Sequence, residues 1–234
     1  MTGWMRYWGS DVERDQEKNV REYFEEISRK FDSYYREDAE TGGIFGKVAH
    51  VVFRRPGMVR RFEATFNFLG ALGDRKILDV GCGSGIYSIE IAKRGGSPTG
   101  VDVSPEMIDL AKENAVRAGC AERCRFIVRD LKELDPAEGT YDAVLAIGLF
   151  DYIAPDEQRP VLDKLLSMTD AEVIATFPKR WVPGTIARRI WFMTKELDVY
   201  FYTGSRVRSL VDRSGIDVVF HNCGPIWTIC FRKK

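Results

Sequence analysis

At about residue 74 the apolar positions of this 234-residue chain change from a helical period to short runs set between helical stretches. In the segment 11–35, Val20, Tyr23, Phe24, Ile27, Phe31 and Tyr34 recur at helical spacing among charges, which predicts an amphipathic helix with one aromatic face. Thr41-Gly42-Gly43 interrupts it. A second helix is expected over 56–72, with Val59, Phe62, Phe66 and Leu69 on one side. Beyond Gly73-Asp74, strands over 76–80, 98–102, 125–129, 141–147 and 171–177 punctuate helices over 84–94, 105–118 and 156–168. Such alternation argues a parallel sheet with helices on both faces. Ser104-Pro105 is a start signal for the helix 105–118, because the hydroxyl caps free amides and proline fits the first turn. At the tail, a helix over 205–214 stops at Gly215, and strands 216–220 and 226–231 flank Asn222-Cys223-Gly224-Pro225. Two strands joined so closely run antiparallel, which puts an antiparallel strand at one edge of the sheet.

The pattern therefore divides the chain into an N-terminal helical cap over 1–73 and an α/β unit over 74–234. Thirty-five Lys and Arg balance thirty-five Asp and Glu, so the overall basic signature of a nucleic-acid binder is missing. No apolar run is long enough to span a bilayer, and the N-terminus lacks the apolar core of a signal peptide. Five cysteines show no CxxC pairing and only His50 and His221 could add imidazoles. Reduced cysteines in a cytoplasmic protein without a metal site are the expectation. No pattern specifies an oligomeric state.

Ile77-Leu78-Asp79-Val80-Gly81-Cys82-Gly83-Ser84-Gly85 and the later Gly100-Val101-Asp102 carry the chemistry. An apolar run ends in a glycine turn, a helix follows, and a second apolar run ends in a lone acid. That is the layout of a βαβ unit that holds an adenosine-bearing ligand at its strand ends. The turn lets backbone approach a ligand and aims amide groups from a helix start. Its GxGxG spacing, with Asp79 just ahead of the first glycine, departs from the GxGxxG of dinucleotide sites. An acid there repels a pyrophosphate and suits the ammonium and sulfonium of S-adenosylmethionine.

Asp79 through Gly85 is similar to the signature of class I S-adenosylmethionine-dependent methyltransferases. The resemblance covers residues 74–177 most fully. It implies a Rossmann-like sheet of seven mostly parallel strands, with the last strand inserted antiparallel. It also implies cofactor contacts. Asp79, Gly81, Cys82 and Gly83 would form the turn contacts, with Cys82 acting through its backbone. Asp102 would take the ribose hydroxyls, with Val103 and Met107 on the adenine. Asp130 would accept the adenine amino group, with the Leu131 backbone beside it. Tyr141 through Gly148 resembles the fourth-strand motif, placing Ile147 beside the methyl group. Asp142, at that strand's start, reads as structural.

Methyl transfer to a small molecule is the expected activity, with S-adenosylhomocysteine as product. Oxygen is slightly favoured over nitrogen or carbon as acceptor atom, from the frequency of such enzymes in the family. Asp151 and Tyr152, just past the fourth strand, are the candidate catalytic residues: the acid could orient or deprotonate an acceptor, the ring could line its pocket. The Asx-Pro-Pro-aromatic motif of DNA-base methyltransferases is replaced by Gly148-Leu149-Phe150-Asp151, which argues against nucleic acid. The stretch 179–202, rich in arginine and aromatics, reads as a substrate lid or as an amphipathic helix. The N-terminal Tyr23–Tyr35 segment resembles the leader of small-molecule methyltransferases, with Tyr34 or Tyr35 touching cofactor. Two rival functions stand. An RNA or protein methyltransferase would need Arg54-Arg55, Arg60-Arg61 and Arg188-Arg189 on one face. A non-catalytic cofactor-binding subunit would bind without turnover.

Overall fold

A computed structural model describes residues 55–136, 139–182, 198–211 and 215–234. The expected helix 11–35 with Tyr34 and Tyr35, His50, Arg54, and the centre of the 179–202 stretch with Arg188-Arg189 lie outside them. The elements run α1 (Arg55–Leu69), β1 (Lys76–Val80), α2 (Ile86–Lys93), β2 (Ser97–Asp102), α3 (Pro105–Arg117), β3 (Arg125–Val128) and β4 (Tyr141–Ala146). They continue with α4 (Gln158–Ser167), β5 (Thr169–Pro178), α5 (Gly204–Ser209), β6 (Ile216–Asn222) and β7 (Ile226–Lys233). The seven strands form one sheet ordered β3-β2-β1-β4-β5-β7-β6. β1 to β5 pair in parallel, and β7 alone runs antiparallel to both its neighbours. The antiparallel strand is therefore not at the edge, where the short turn had suggested it. β7 slots between β5 and β6, and β6 takes the edge, because the hairpin folds back into the sheet.

Alternation along each strand sorts the core into two faces. Leu78, Val80, Val144, Ala146, Val173 and Ala175 pack with Val161, Leu162 and Leu165 of α4. Ile77, Ala143, Leu145 and Ile174 pack with Phe66 and Leu69 of α1 and Tyr87 and Ile91 of α2. α1 is thus one of the helices that cover the sheet. Its aromatic side meets α2 directly, with Phe62 5.3 Å from the Tyr87 ring.

Polar groups fix the register at the amino ends of the strands. Lys76 N donates to Asp142 Oδ2 at 2.7 Å, tying β1 to β4, the structural part expected of this acid. Glu172, buried at the start of β5, accepts from Arg232 Nη2 at 2.8 Å and faces Arg75 Nη2 at 3.4 Å. Arg75 also donates to the Leu69 carbonyl at the end of α1. One buried carboxylate thereby joins α1, β5 and β7. Removing it leaves two guanidinium groups without their counter-charge, a costlier change than loss of an exposed ion pair. Glu172→Ala is expected to destabilise the fold by about 2 kcal/mol, against under about 0.5 kcal/mol for Asp217→Ala in the exposed Asp217–Lys234 pair. Urea unfolding of the two variants checks the contrast.

Candidate active site at the carboxyl edge of the sheet

Parallel strands that all end on one side bring their terminal residues to a common edge. β1 ends at Val80, and the turn that follows needs left-handed backbone at Gly81, Gly83 and Gly85, with φ of 69°, 53° and 79°. A side chain is excluded at Gly85 for a second reason, since a Cβ there would lie 2.9 Å from the Phe126 ring. Gly100 on β2 is equally tight, with Phe126 at 2.7 Å and Cys82 Sγ at 2.9 Å from such a Cβ. Cys82 is thus a buried filler between strands. At Gly81 the nearest neighbour to a Cβ would be Leu149, at 3.6 Å, which brings the segment after β4 against the turn.

The turn's amides do not point outward as expected. Gly81 N and Cys82 N both donate to the Val101 carbonyl, at 2.8 and 3.0 Å. Gly83 N donates to Asp102 Oδ2 at 2.9 Å, and Gly85 N to the Cys82 carbonyl at 3.0 Å. These four donors are engaged inside the protein, so the turn is not built as an anion cradle. Two carboxylates stand beside it instead, Asp79 buried and Asp102 half-buried.

Asp79 is 2% exposed, and its Oδ2 accepts from Ser88 Oγ at 2.7 Å. Burial pushes its carboxyl up to about 6; the Ser88 hydrogen bond opposes this, and the nearby Asp102 charge adds to it. Asp102 is raised too, again chiefly by burial, against the amides of Ser104 and Gly83 that stabilise its charge. Ser104 N reaches Asp102 Oδ1 at 3.0 Å, while Ser104 Oγ accepts from Met107 N at 3.2 Å as the cap of α3. Both Asp102 oxygens are oriented by backbone, and a carboxylate retains lone pairs for further donors.

Val103 is exposed beside Asp102, whereas Met107 is 1% exposed and lies beneath that surface. Asp130 stands past the end of β3, where its Oδ1 accepts from Lys132 N at 2.8 Å and opens the short helical turn Leu131–Glu133. Ile147 is half-buried at the end of β4. After it Gly148, at φ 84°, donates to Thr176 Oγ1 at 2.7 Å. Asp151 is buried in the helical turn Leu149–Asp151, and Tyr152 is half-buried next to it. Asp79, Asp102, Asp130, Ile147, Asp151 and Tyr152 thus share the carboxyl edge. His221 sits at the far end of the sheet on β6, 6.4 Å from the Phe68 ring. Among the described residues no cluster of three or more His, Cys, Asp or Glu is set to hold a metal ion, and no helix is long and apolar enough to cross a membrane.

Two supporting residues escaped the sequence reading. Ser88 was signalled only as the one small polar residue within the run Ile86-Tyr87-Ser88-Ile89. Asn114 of α3 braces the turn by donating to the Ser84 carbonyl at 3.0 Å, and nothing local marks it.

Residues 77–171 match the family model of a methyltransferase domain. The magnesium-protoporphyrin O-methyltransferase of Rhodobacter capsulatus is 37% identical over 102 residues, 43% of this chain and 44% of that protein. The ubiquinone biosynthesis O-methyltransferase of Colwellia psychrerythraea is 36% identical over 83 residues, 36% of this chain and 33% of that one. The chain thus matches less than half the length of these relatives. Magnesium protoporphyrin IX methyltransferase from Synechocystis, solved with S-adenosylhomocysteine, shares the fold with a TM-score of 0.74 at 19% identity, covering 93% of this chain and all of that one. Residues 77–171 are thus similar to a methyltransferase domain, and the sheet shares the fold of that solved methyltransferase.

Asp79 has a measurable consequence for the protein alone. Its native carboxyl near 6 lies above the unfolded value of 3.8, so between these values the folded state binds more protons. Stability from this group is present at low pH and lost as pH rises through about 6. Asp79→Asn removes that loss, so above pH 6 the variant should be the more stable by up to about 3 kcal/mol. Denaturant midpoints of both proteins between pH 4 and 7 check the sign.

Proposed function

We propose that this protein transfers the methyl group of S-adenosylmethionine to a small-molecule acceptor, with an oxygen as the favoured acceptor atom. The observation that carries the reading is the carboxylate pair of buried Asp79 and half-buried Asp102 beside a glycine turn whose own amides are engaged internally. Such a site offers acceptors and negative charge, which suit a ligand rich in hydroxyls and positive charge. The family match and the O-methyltransferase names of several relatives support the same reading.

In this reading Asp102 holds the two ribose hydroxyls and Asp79 faces the ammonium group. The backbone of Gly81, Cys82 and Gly83 gives the close approach. Val103 flanks the adenine, Met107 supports that wall from below, and Asp130 and the Leu131 backbone meet the amino edge. Ile147 closes the space near the methyl, and Tyr34 would contribute from the N-terminal segment. The cofactor supplies a methyl carbon on a positively charged sulfur that leaves as a neutral thioether. The protein's work is alignment and exclusion of water. Asp151 takes the proton of a hydroxyl acceptor on its carboxylate, and Tyr152 lines the acceptor's approach. An acceptor carboxylate has no proton to lose and needs no base.

Titration calorimetry with S-adenosylhomocysteine tests the cofactor half: Asp102→Ala should weaken binding ~10- to 100-fold, and wild-type affinity would remove the ribose assignment. The acceptor half is read by S-adenosylhomocysteine release from S-adenosylmethionine with phenol, carboxylate and amine acceptors. Acceptor-dependent release is expected, and Asp151→Asn should slow a phenol acceptor about 100-fold while leaving a carboxylate acceptor unchanged. Tight cofactor binding with no release from any acceptor would point instead to a non-catalytic subunit.

A further inference from the structure

The segment 149–152, on which both candidate catalytic residues sit, is not held by its own strand. Its carbonyls are taken by chain some fifty residues away. Tyr202 Oη donates to the Phe150 carbonyl at 2.7 Å across |i−j| of 52. Tyr200 N donates to the Asp151 carbonyl at 2.9 Å. Arg206 Nη2 donates to the Pro155 carbonyl at 2.7 Å and to Gln158 Oε1 at 3.3 Å.

Tyr202 is the best fixed of these donors. It is 2% exposed and forms an isolated bridge with Lys179, in which Tyr202 N donates to the Pro178 carbonyl at 2.7 Å and Arg180 N to the Tyr202 carbonyl at 2.9 Å. Its ring meets Phe177 edge-on at 4.9 Å, and Phe177 stacks on Phe150 at 4.6 Å. The ring is therefore anchored to β5 through Phe177, and its hydroxyl reaches from there to the turn after β4. Leu149, at the front of that turn, is the side chain that meets Gly81 of the cofactor-side turn.

We infer that Tyr202 is a positioning residue: its hydroxyl bond to the Phe150 carbonyl sets the 149–152 turn, and with it Asp151 and Tyr152, against the Gly81–Gly85 turn. The inference rests on the proposed methyltransferase reading for its catalytic consequence, but not for its structural one. Burial and the neighbouring Asp151 charge keep the Tyr202 phenol protonated far into alkaline pH, so the donor persists wherever the protein is folded. In-line transfer tolerates little misplacement of the attacking atom. Loosening this turn should therefore lower the rate of the chemical step more than it weakens cofactor binding.

Tyr202→Phe removes the hydroxyl, with its bond to the Phe150 carbonyl and its hydrogen bond with Gln158, and keeps the ring. In the full chain saturated with S-adenosylhomocysteine, exchange of the Tyr152 amide, which is bonded to the Leu149 carbonyl, should quicken about tenfold while β4 amides stay unchanged. With an acceptor that the wild-type protein methylates, kcat should fall about tenfold with KM for S-adenosylmethionine unchanged. Phe231→Leu is the control: its ring meets Phe177 at 6.0 Å from β7, so the change loosens the same aromatic cluster while leaving the Tyr202–Phe177–Phe150 contacts in place. At matched loss of stability it should leave the Tyr152 amide and kcat closer to wild type. Unchanged exchange in Tyr202→Phe, or equal effects from Phe231→Leu, would overturn the inference. If the wild-type protein methylates no acceptor, the functional reading fails, and the exchange comparison still decides the part played by Tyr202.

Discussion

Two carboxylates side by side, Asp79 buried and Asp102 half-buried, are the constraint around which the carboxyl edge is built. Asp79 and Asp102 lose hydration and repel one another, and each is tolerated because a specific donor is aimed at it: Ser88 Oγ at one, the amides of Gly83 and Ser104 at the other. Supplying the Gly83 amide requires the left-handed turn, and the turn requires glycine. Bringing β1 and β2 close enough requires Gly100, since Phe126 and Cys82 occupy the space a side chain would need. The parallel register, Asp79 beside Gly100 and Val80 beside Val101, then follows from packing rather than from any one hydrogen bond. In the proposed reading a positively charged ligand would offset this repulsion.

The two halves of this edge are made differently. The half from β1 to β3 is assembled by short-range chain: a strand, a turn and the start of the next helix, with caps at Ser104 and Asp130. The half after β4 takes its shape from residues 200–206, which follow β5 and return to grip the carbonyls of 150, 151 and 155. One half is thus fixed by local chain, and the form of the other is set elsewhere in the chain.

The same division governs what could be read from residue order. Strand 76–80 and the Ser104-Pro105 helix start were legible because period-two alternation and capping are local properties. That Asp79, Asp102 and Asp130 lie at or just past strand ends was legible because the apolar runs stop at Val80, Asp102 and Val128. The inserted position of β7 was misread from the turn alone, since a short turn fixes the direction of two strands but not which of them meets β5. The outward aim of the turn's amides was misread as well, because the Val101 carbonyl that takes two of them belongs to the next strand. Tyr202, Asn114 and the Glu172 network join segments far apart in sequence, and no spacing rule reports them.

Three aspartates on neighbouring strands show how position converts one side chain into different roles. Asp142 stands at the amino end of β4, where Lys76 N is available at the start of β1, and it becomes a staple of register. Asp79 and Asp102 stand at carboxyl ends, where parallel strands leave carbonyls pointing out and few donors nearby. A carboxylate there is satisfied only by donors brought in by turns and helices, or by a ligand. Asp142 has found its partner within the sheet and is solvent-exposed, whereas Asp79 is buried, Asp102 is half-buried, and both are raised in pKa. Strand polarity, more than residue type, separates the acid that ties two strands together from the acids at the carboxyl edge.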